Sequence, residues 1–297
     1  MAGSYQMYRC AVLSTSTSSL DSVLDRDSLI QILRLTIRTD TEYEYTDGLD
    51  LKPDEFYQWQ YRYPNHMPNT FPPSYELLRQ TFQHLKALGY HSAIVTTLSS
   101  KLSETYRRVC QVAAEMADEL DIYVFDTGIT GMPEGFFALE AMRLLKEGYT
   151  PQEVIAKLEQ MRPCGEIIFS VHSVNQLVNS GILGKIGAVV VGLLNLMPVL
   201  RFHNNTLTKV KTANNSEDVL NATVEAVAAR LQGEDLNNLV LCGMYGGNLD
   251  LYNRFAAKLH QKTGVHLTGI PISPVVGAYI GPDAVGVGIV KRNGCTG

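Results

Sequence analysis

Apolar and polar positions follow two rhythms through the first half of the chain. Arg9 to Leu13 is a short apolar run ending in hydroxyl residues, and Ile30 to Ile37 alternates with branched residues; both read as strands. Pro53 to Tyr61 reads as a helix with proline in its first turn. Ser74 to Leu88 is amphipathic, with Leu77, Leu78, Phe82, Leu85 and Leu88 on one face and Gly89 as its stop. Ser92 to Leu98 reads as a buried strand, Leu102 to Leu120 as a long helix, Ile122 to Phe125 as a strand, and Pro133 to Lys146 as a helix. Such alternation predicts a mostly parallel sheet with helices on both faces. Sheets of that kind bind ligands beyond the carboxyl ends of their strands. The loops expected there are Ser14 to Ser19, Ser99 to Thr105 and Asp126 to Gly131.

The rhythm changes near Pro163. Glu166 to Val171 reads as a strand, followed by a short helix to Val178. Val199 to His203 and Thr208 to Thr212 form a hairpin pattern around Asn204 and Asn205. Ser216 is expected to cap a helix running to Leu231. Leu239 to Tyr245 and Val265 to Ile270 read as strands, with a helix from Leu249 to Lys262 between them. The expected fold is therefore α/β with two domains, residues 1–160 and 161–297. The second should hold a mixed sheet with helices, and a ligand should lie between the two.

Composition narrows the function. The chain has 297 residues and a formal net charge of −5, and it has no basic run, so no nucleic-acid partner is expected. Its most apolar stretch, Ile186 to Leu200, is shorter than the roughly 20 residues of a membrane span and contains Asn195 and Pro198. The N-terminus lacks an apolar signal core. Five cysteines lie far apart with no metal-ligand spacing, which predicts reduced thiols, a cytoplasmic location and no metal or other cofactor.

Candidate chemistry lies in loops. Ser99-Ser100-Lys101-Leu102-Ser103-Glu104-Thr105-Tyr106 follows a strand and opens a helix, where hydroxyls and free N–H groups suit an anion or simply cap the helix. In Pro68 to Ser74 the prolines fix the backbone that carries Thr70, as a site or as a plain connector. The glycines of Gly277 to Gly288 permit close approach of a ligand or another strand, and the segment lacks the GK[ST] of a phosphate loop. His172 ends a strand, Asp47 and Asp50 flank a turn at Gly48, and Asp126-Thr127 ends a strand. No nucleophile–base signature accompanies them.

Taken in order, these segments resemble the DegV family over nearly the whole chain. The family's TDS is matched by Ser14-Thr15-Ser16, and its aspartate pattern by Tyr45, Asp47 and Asp50. Its TSQPS corresponds to Asn69-Thr70-Phe71-Pro72-Pro73 and its SSxLSGTY to Ser99 to Tyr106. Its strand-end Asp-Ser corresponds to Asp126-Thr127, and its closing glycine motif to Gly277 to Gly286. The resemblance implies a non-enzymatic protein that binds a long-chain fatty acid, with the tail in an apolar tunnel of the C-terminal domain. It implies carboxylate contacts from Thr70, Ser99, Ser100 and Tyr279, with Thr15, Ser16, Asn69, Gly281 and Asp283 as neighbours. It further implies a bacterial fatty-acid kinase as partner, which phosphorylates the carboxylate that the binding protein carries.

The departures are systematic. Thr15 replaces the family's Asp, Ile182 replaces the Arg of GGR, Tyr279 replaces the late His, and Glu104 and Asp283 replace glycines. Arg offers a planar cationic fork and His a titrating hydrogen-bond group. Their loss predicts retained lipid binding with altered or lost coupling to a kinase. Expected tunnel linings are Ile167 to Val171, Val189 to Leu200 and Ile270 to Ile280. The competing readings are a diverged sensor or scaffold for another amphiphile and a small-molecule enzyme in the interdomain cleft.

Overall fold

The computed structural model describes residues 9–25, 27–39, 43–185 and 196–294, with Lys185 as backbone only. Its first sheet has the order β2 (Ile30–Leu33), β1 (Cys10–Thr15), β6 (Ser92–Thr97), β7 (Asp121–Asp126), all parallel. Strand alternation sorts the core. Ala11, Leu13, Ala93 and Val95 pack on α2 (Tyr75–Ala87) and α3 (Thr105–Glu115), while Val12 and Ile94 face α4 (Met132–Lys146) and α5 (Pro151–Met161). A small antiparallel sheet joins β3 (Thr36–Arg38) to β4 (Glu44–Thr46) and β5 (Asn69–Phe71), with α1 (Pro53–Arg62) between the last two in sequence.

The third sheet has six strands in the order β10 (Thr206–Ala213), β9 (Met197–His203), β8 (Glu166–Ser170), β13 (Val285–Lys291), β11 (Leu239–Tyr245), β12 (Gly269–Pro271). It is antiparallel except for β11–β12. Ile168, Val287 and Ile289 pack under α8 (Ser216–Leu231) and α9 (Leu249–Thr263), whereas Ile167, Phe202 and Met244 face the other way. On that inner side lie α4, α6 (Asn175–Asn179), α7 (Ile182–Lys185) and α10 (Pro274–Ile280). Helix α4 touches both large sheets, which is why it is apolar on nearly every side.

Several boundaries differ from expectation. The strand read over Ile30 to Ile37 divides between two sheets, because Arg34 turns out to bond Asp21 and the Asp47 carbonyl. Of the face read over Ser74 to Leu88, Leu78, Phe82 and Leu85 are buried, whereas Leu77 and Leu88 are exposed, because at about 100° per residue these two fall to one side of the stripe the other three form. Helix α3 starts later than Leu102, because Leu102 and Ser103 return hydrogen bonds to Ser99 in a preceding turn. Helix α5 was not expected, although Thr150 and Glu153 form a capping box around Pro151. Asn215 rather than Ser216 caps α8, accepting from Asp218 N at 2.9 Å. The strand expected over Val265 to Ile270 is confined to β12. Cys10, Cys110 and Cys242 are free, but Cys164 is disulfide-bonded, so the reduced-thiol expectation fails there; spacing in sequence carries no distance in the fold. Among the described residues, no helix is long and apolar enough to cross a membrane.

Candidate functional site

A cavity of about 300 Å³ lies between the inner face of the third sheet, α10, and the loops that follow β1, β6 and β7. Its size is at the lower end of ordinary small-ligand sites. The sheet side is apolar: Ile167 and Phe169 from β8, Phe202 and Leu207 from the β9–β10 hairpin, Met244 and Val285. Leu177 on α6 and Ile182 on α7 extend that wall. Two of the three expected linings thus contribute. Of Val189 to Leu200, residues 189–195 lie outside the described residues, and no described residue of the stretch lines the cavity.

Helix α10 presents Val275, Val276, Tyr279 and Ile280 along one side of the cavity. Three groups hold it in place. Tyr57 OH donates to Ile272 O at 2.9 Å, Gln60 Nε2 donates to Gly277 O at 3.1 Å, and Val275 N donates to Asp47 Oδ1 at 3.4 Å. A Cβ at Gly277 would lie 2.4 Å from the Tyr57 hydroxyl, so the glycine admits this clamp. Gly286 likewise admits β8, since a Cβ there would lie 2.4 Å from Ile168 O. The glycine-rich segment therefore serves close packing of backbone and side chain.

The cavity's polar atoms come mainly from the first half of the chain. Thr70 on β5 and Tyr279 on α10 share a hydrogen bond of 2.6 Å between their hydroxyls, and both line the cavity. Register places Thr70 opposite Ile37. Thr17, Ser103, Glu104 and Thr130 also line the cavity. Thr17 donates to Glu134 Oε2 at 2.8 Å, and Thr15 bonds both Thr17 and Glu134. Glu134 is fully buried in the first turn of α4, and burial pushes its carboxyl well above the usual carboxylate range. The Oγ1 of Thr130 has no hydrogen-bond partner among the described residues.

The other candidates lie elsewhere. Ser99 is buried outside the lining and donates to Asn205 Oδ1 at 2.5 Å, on the tip of the β9–β10 hairpin. Ser100 is exposed, and its N–H donates to Asp126 Oδ1 at 3.1 Å. That carboxylate also accepts from Gly128 N, so it ties two loops together. Thr15 faces Glu134, and Ser16 Oγ accepts from Leu35 N at 3.2 Å. Asn69 is exposed on β5, and Gly281 ends α10 with φ 79°. Asp283 accepts from Tyr61 OH and Asn248 Nδ2, both at 2.8 Å, and faces a separate polar recess beside His172 and Arg254. Glu104 does reach the lining, but it is half-exposed and paired with Arg107 at 3.2 Å.

Thr17, Ser103 and Thr130 lie in the three loops expected to meet a ligand, though none was singled out there as a contact, and Glu134, behind the lining, was not expected at all. The hydroxyl run Ser14 to Ser19 signals the first, whereas Glu134 reads as an ordinary acid in a helix's first turn.

The family model for uncharacterised proteins of the DegV family matches residues 9–292. The chain belongs to the DegV family. A DegV domain-containing protein of Staphylococcus aureus is 28% identical over 289 residues, covering 96% of this chain and 98% of its own. Among solved structures, a stearic acid-binding protein from Eubacterium ventriosum superposes with a TM-score of 0.85 at 22% identity, covering 95% of this chain and 98% of its own. Bacillus subtilis DegV, described as a fatty acid binding protein, gives 0.79 at 23% identity over 95% of this chain and 99% of its own. These likenesses show that the α/β architecture of this chain is the DegV fold.

Proposed function

We propose that this DegV protein binds one long-chain fatty acid and holds it without catalysing its conversion. The tail lies in the apolar cavity of a C-terminal domain, residues 161–297, and the carboxyl end meets groups supplied mainly by an N-terminal domain, residues 1–160. The observation that carries this reading is the Thr70–Tyr279 hydroxyl pair, 2.6 Å apart on the wall of a mainly apolar cavity. Two hydroxyls can exchange their mutual bond for bonds to a ligand oxygen without leaving either unpaired. At about 0.8 kcal/mol per buried CH₂, a long tail contributes roughly 10 kcal/mol before ordering costs. The fatty acid-binding DegV relatives support the same ligand class. A cytoplasmic role beside a fatty-acid kinase belongs to this reading. Ile182 and Tyr279 line the cavity where the family resemblance expects Arg and His, so coupling to such a kinase is altered.

Native extraction with mass spectrometry tests the proposal. A C16–C18 fatty acid is expected with the purified protein, and Thr70→Val should weaken its binding about five- to tenfold. Recovery of a polar metabolite, or of no lipid at all, would overturn the reading.

A further inference from the structure

The described lining of the cavity carries no matching charge for a carboxylate. Its polar side chains are Thr17, Thr70, Ser103, Glu104, Thr130 and Tyr279; among the described residues, no Lys, Arg or His lines it. Glu104, the one charged group of the set, is an anion. Arg107 and Arg108 lie 3.2 and 3.7 Å from it, and neither lines the cavity. Arg108 also donates to Pro73 O at 3.3 Å and sits over the Tyr75 ring. Two further acids stand behind the wall, Glu134 bonded to Thr17 and Asp47 bonded to Val275 N. Among the described residues no cation bonds the carboxyl oxygens of either, and Arg34, the nearest to Asp47, spends its guanidinium on Asp21 and the Asp47 carbonyl.

Elements packed on α10 do not change this balance. On β3, Arg38 pairs with Glu44. Helix α1 brings Asp54, Glu55 and Arg62, with the phenols of Tyr57 and Tyr61 bonded to Ile272 O and Asp283. Strand β5, helix α6 and the turn Ser16–Ser18 carry no ionisable group. A desolvated carboxylate needs an opposite charge or several strong donors. Thr and Tyr hydroxyls instead both donate and accept, which suits a head group that does the same.

We propose that the cavity takes its amphiphile with an uncharged head, as a protonated carboxylic acid or another neutral hydroxyl or carbonyl group. The proposal rests on the amphiphile-binding reading above and names the form of the ligand. It makes binding of a fatty acid fall with rising pH, because the free acid must recover a proton to enter.

Titration calorimetry of the full chain with dodecanoic acid and with 1-dodecanol, at pH 5.5 and pH 7.5, tests it. If only the acid form binds, affinity for dodecanoic acid falls about tenfold per pH unit above the ligand's own carboxyl pKa, about a hundredfold over this range. Dodecanol reports any effect of the protein's own acids, and its affinity is expected to change less than about threefold. At pH 7.5 dodecanol should bind at least about ten times more tightly than dodecanoate. Dodecanoate affinity that is flat with pH, or greater than that of dodecanol at pH 7.5, overturns the uncharged-head proposal and leaves the fatty-acid reading standing. Binding of neither ligand at either pH overturns both.

Discussion

The two large sheets contribute opposite things to one cavity. The parallel sheet ends in loops that bring the cavity polar side chains, such as Thr17 after β1 and Thr130 after β7, beside Leu98 and Leu102 after β6. The third sheet contributes its face, and that face is apolar: Ile167, Phe169, Phe202 and Met244. Parallel strands point their carboxyl ends the same way, so their loops cluster at one edge and remain free of the core's demand for apolar residues. A sheet face has no such freedom, because its residues pack on whatever lies above them. Helix α10 crosses the division. It belongs to the second half of the chain, yet Asp47, Tyr57 and Gln60 of the first half hold it, and its Tyr279 meets Thr70. Affinity should therefore come from the apolar half, and head-group selection from the meeting of the two halves at α10.

The largest test of this division fills the apolar half. Ala284 is 1% exposed beside the start of β13 and lines the cavity. Ala284→Phe should occupy the space of several methylenes. Excluding about five of them at about 0.8 kcal/mol each removes about 4 kcal/mol, close to a thousandfold in affinity for palmitic acid. Calorimetry reads the loss, and circular dichroism checks that the fold persists. Undiminished affinity in a folded variant would place the tail elsewhere.

A smaller effect is expected where the halves meet. Asp47 is completely buried, and burial pushes its pKa up from 3.8 to about 6, with hydrogen bonds from Ser16 and Val275 N and the charge of Arg34 offsetting part of the rise. The folded protein thus holds this proton more tightly than the unfolded chain does. Its contribution to stability is fully present below pH 3.8 and is lost as pH rises through about 6. A shift from 3.8 to about 6 corresponds to about 3 kcal/mol at about 1.36 kcal/mol per unit. Asp47→Asn keeps an acceptor for Val275 N and carries no charge. Urea unfolding at pH 4 and pH 7 should show the variant gaining about 2–3 kcal/mol relative to the parent over that range. Parallel profiles for the two proteins would remove Asp47 from the junction's energetics.

What the sequence made legible follows the same line. Period and turn chemistry read the sheet-forming half well: β11 and the β9–β10 hairpin lie where their patterns put them, because local rules decide them. The junction was legible only in part. Thr70 and Tyr279 carry no local signal of each other, being separated by 209 positions, and only the family resemblance put both in one site. Ser99 and Ser100 looked equivalent in the same loop, yet one is buried against Asn205 and the other exposed. Asp283 looked like a head-group neighbour and instead serves Tyr61 and Asn248. In each case the deciding partner is distant in sequence, where neither periodicity nor propensity reaches.

The smallest expected effect concerns Ser99 itself. Asn204 and Asn205 both have positive φ, 47° and 58°, in the tight turn that joins β9 to β10. Glycine adopts that backbone without cost, so Asn205→Gly removes the side chain and little else. The bond from Ser99 Oγ disappears, while Lys101 N still donates to that hydroxyl at 3.2 Å. A loss of about 0.5–1.5 kcal/mol in stability is expected, read by urea unfolding. Fatty-acid affinity should stay within about twofold, because Ser99 in its present position serves the contact between hairpin and loop. A gain of more than about fivefold would show the freed hydroxyl turning to the ligand. The head-group site would then extend from the Thr70–Tyr279 pair into the loop after β6, and the hairpin tip would be what withholds Ser99 from it.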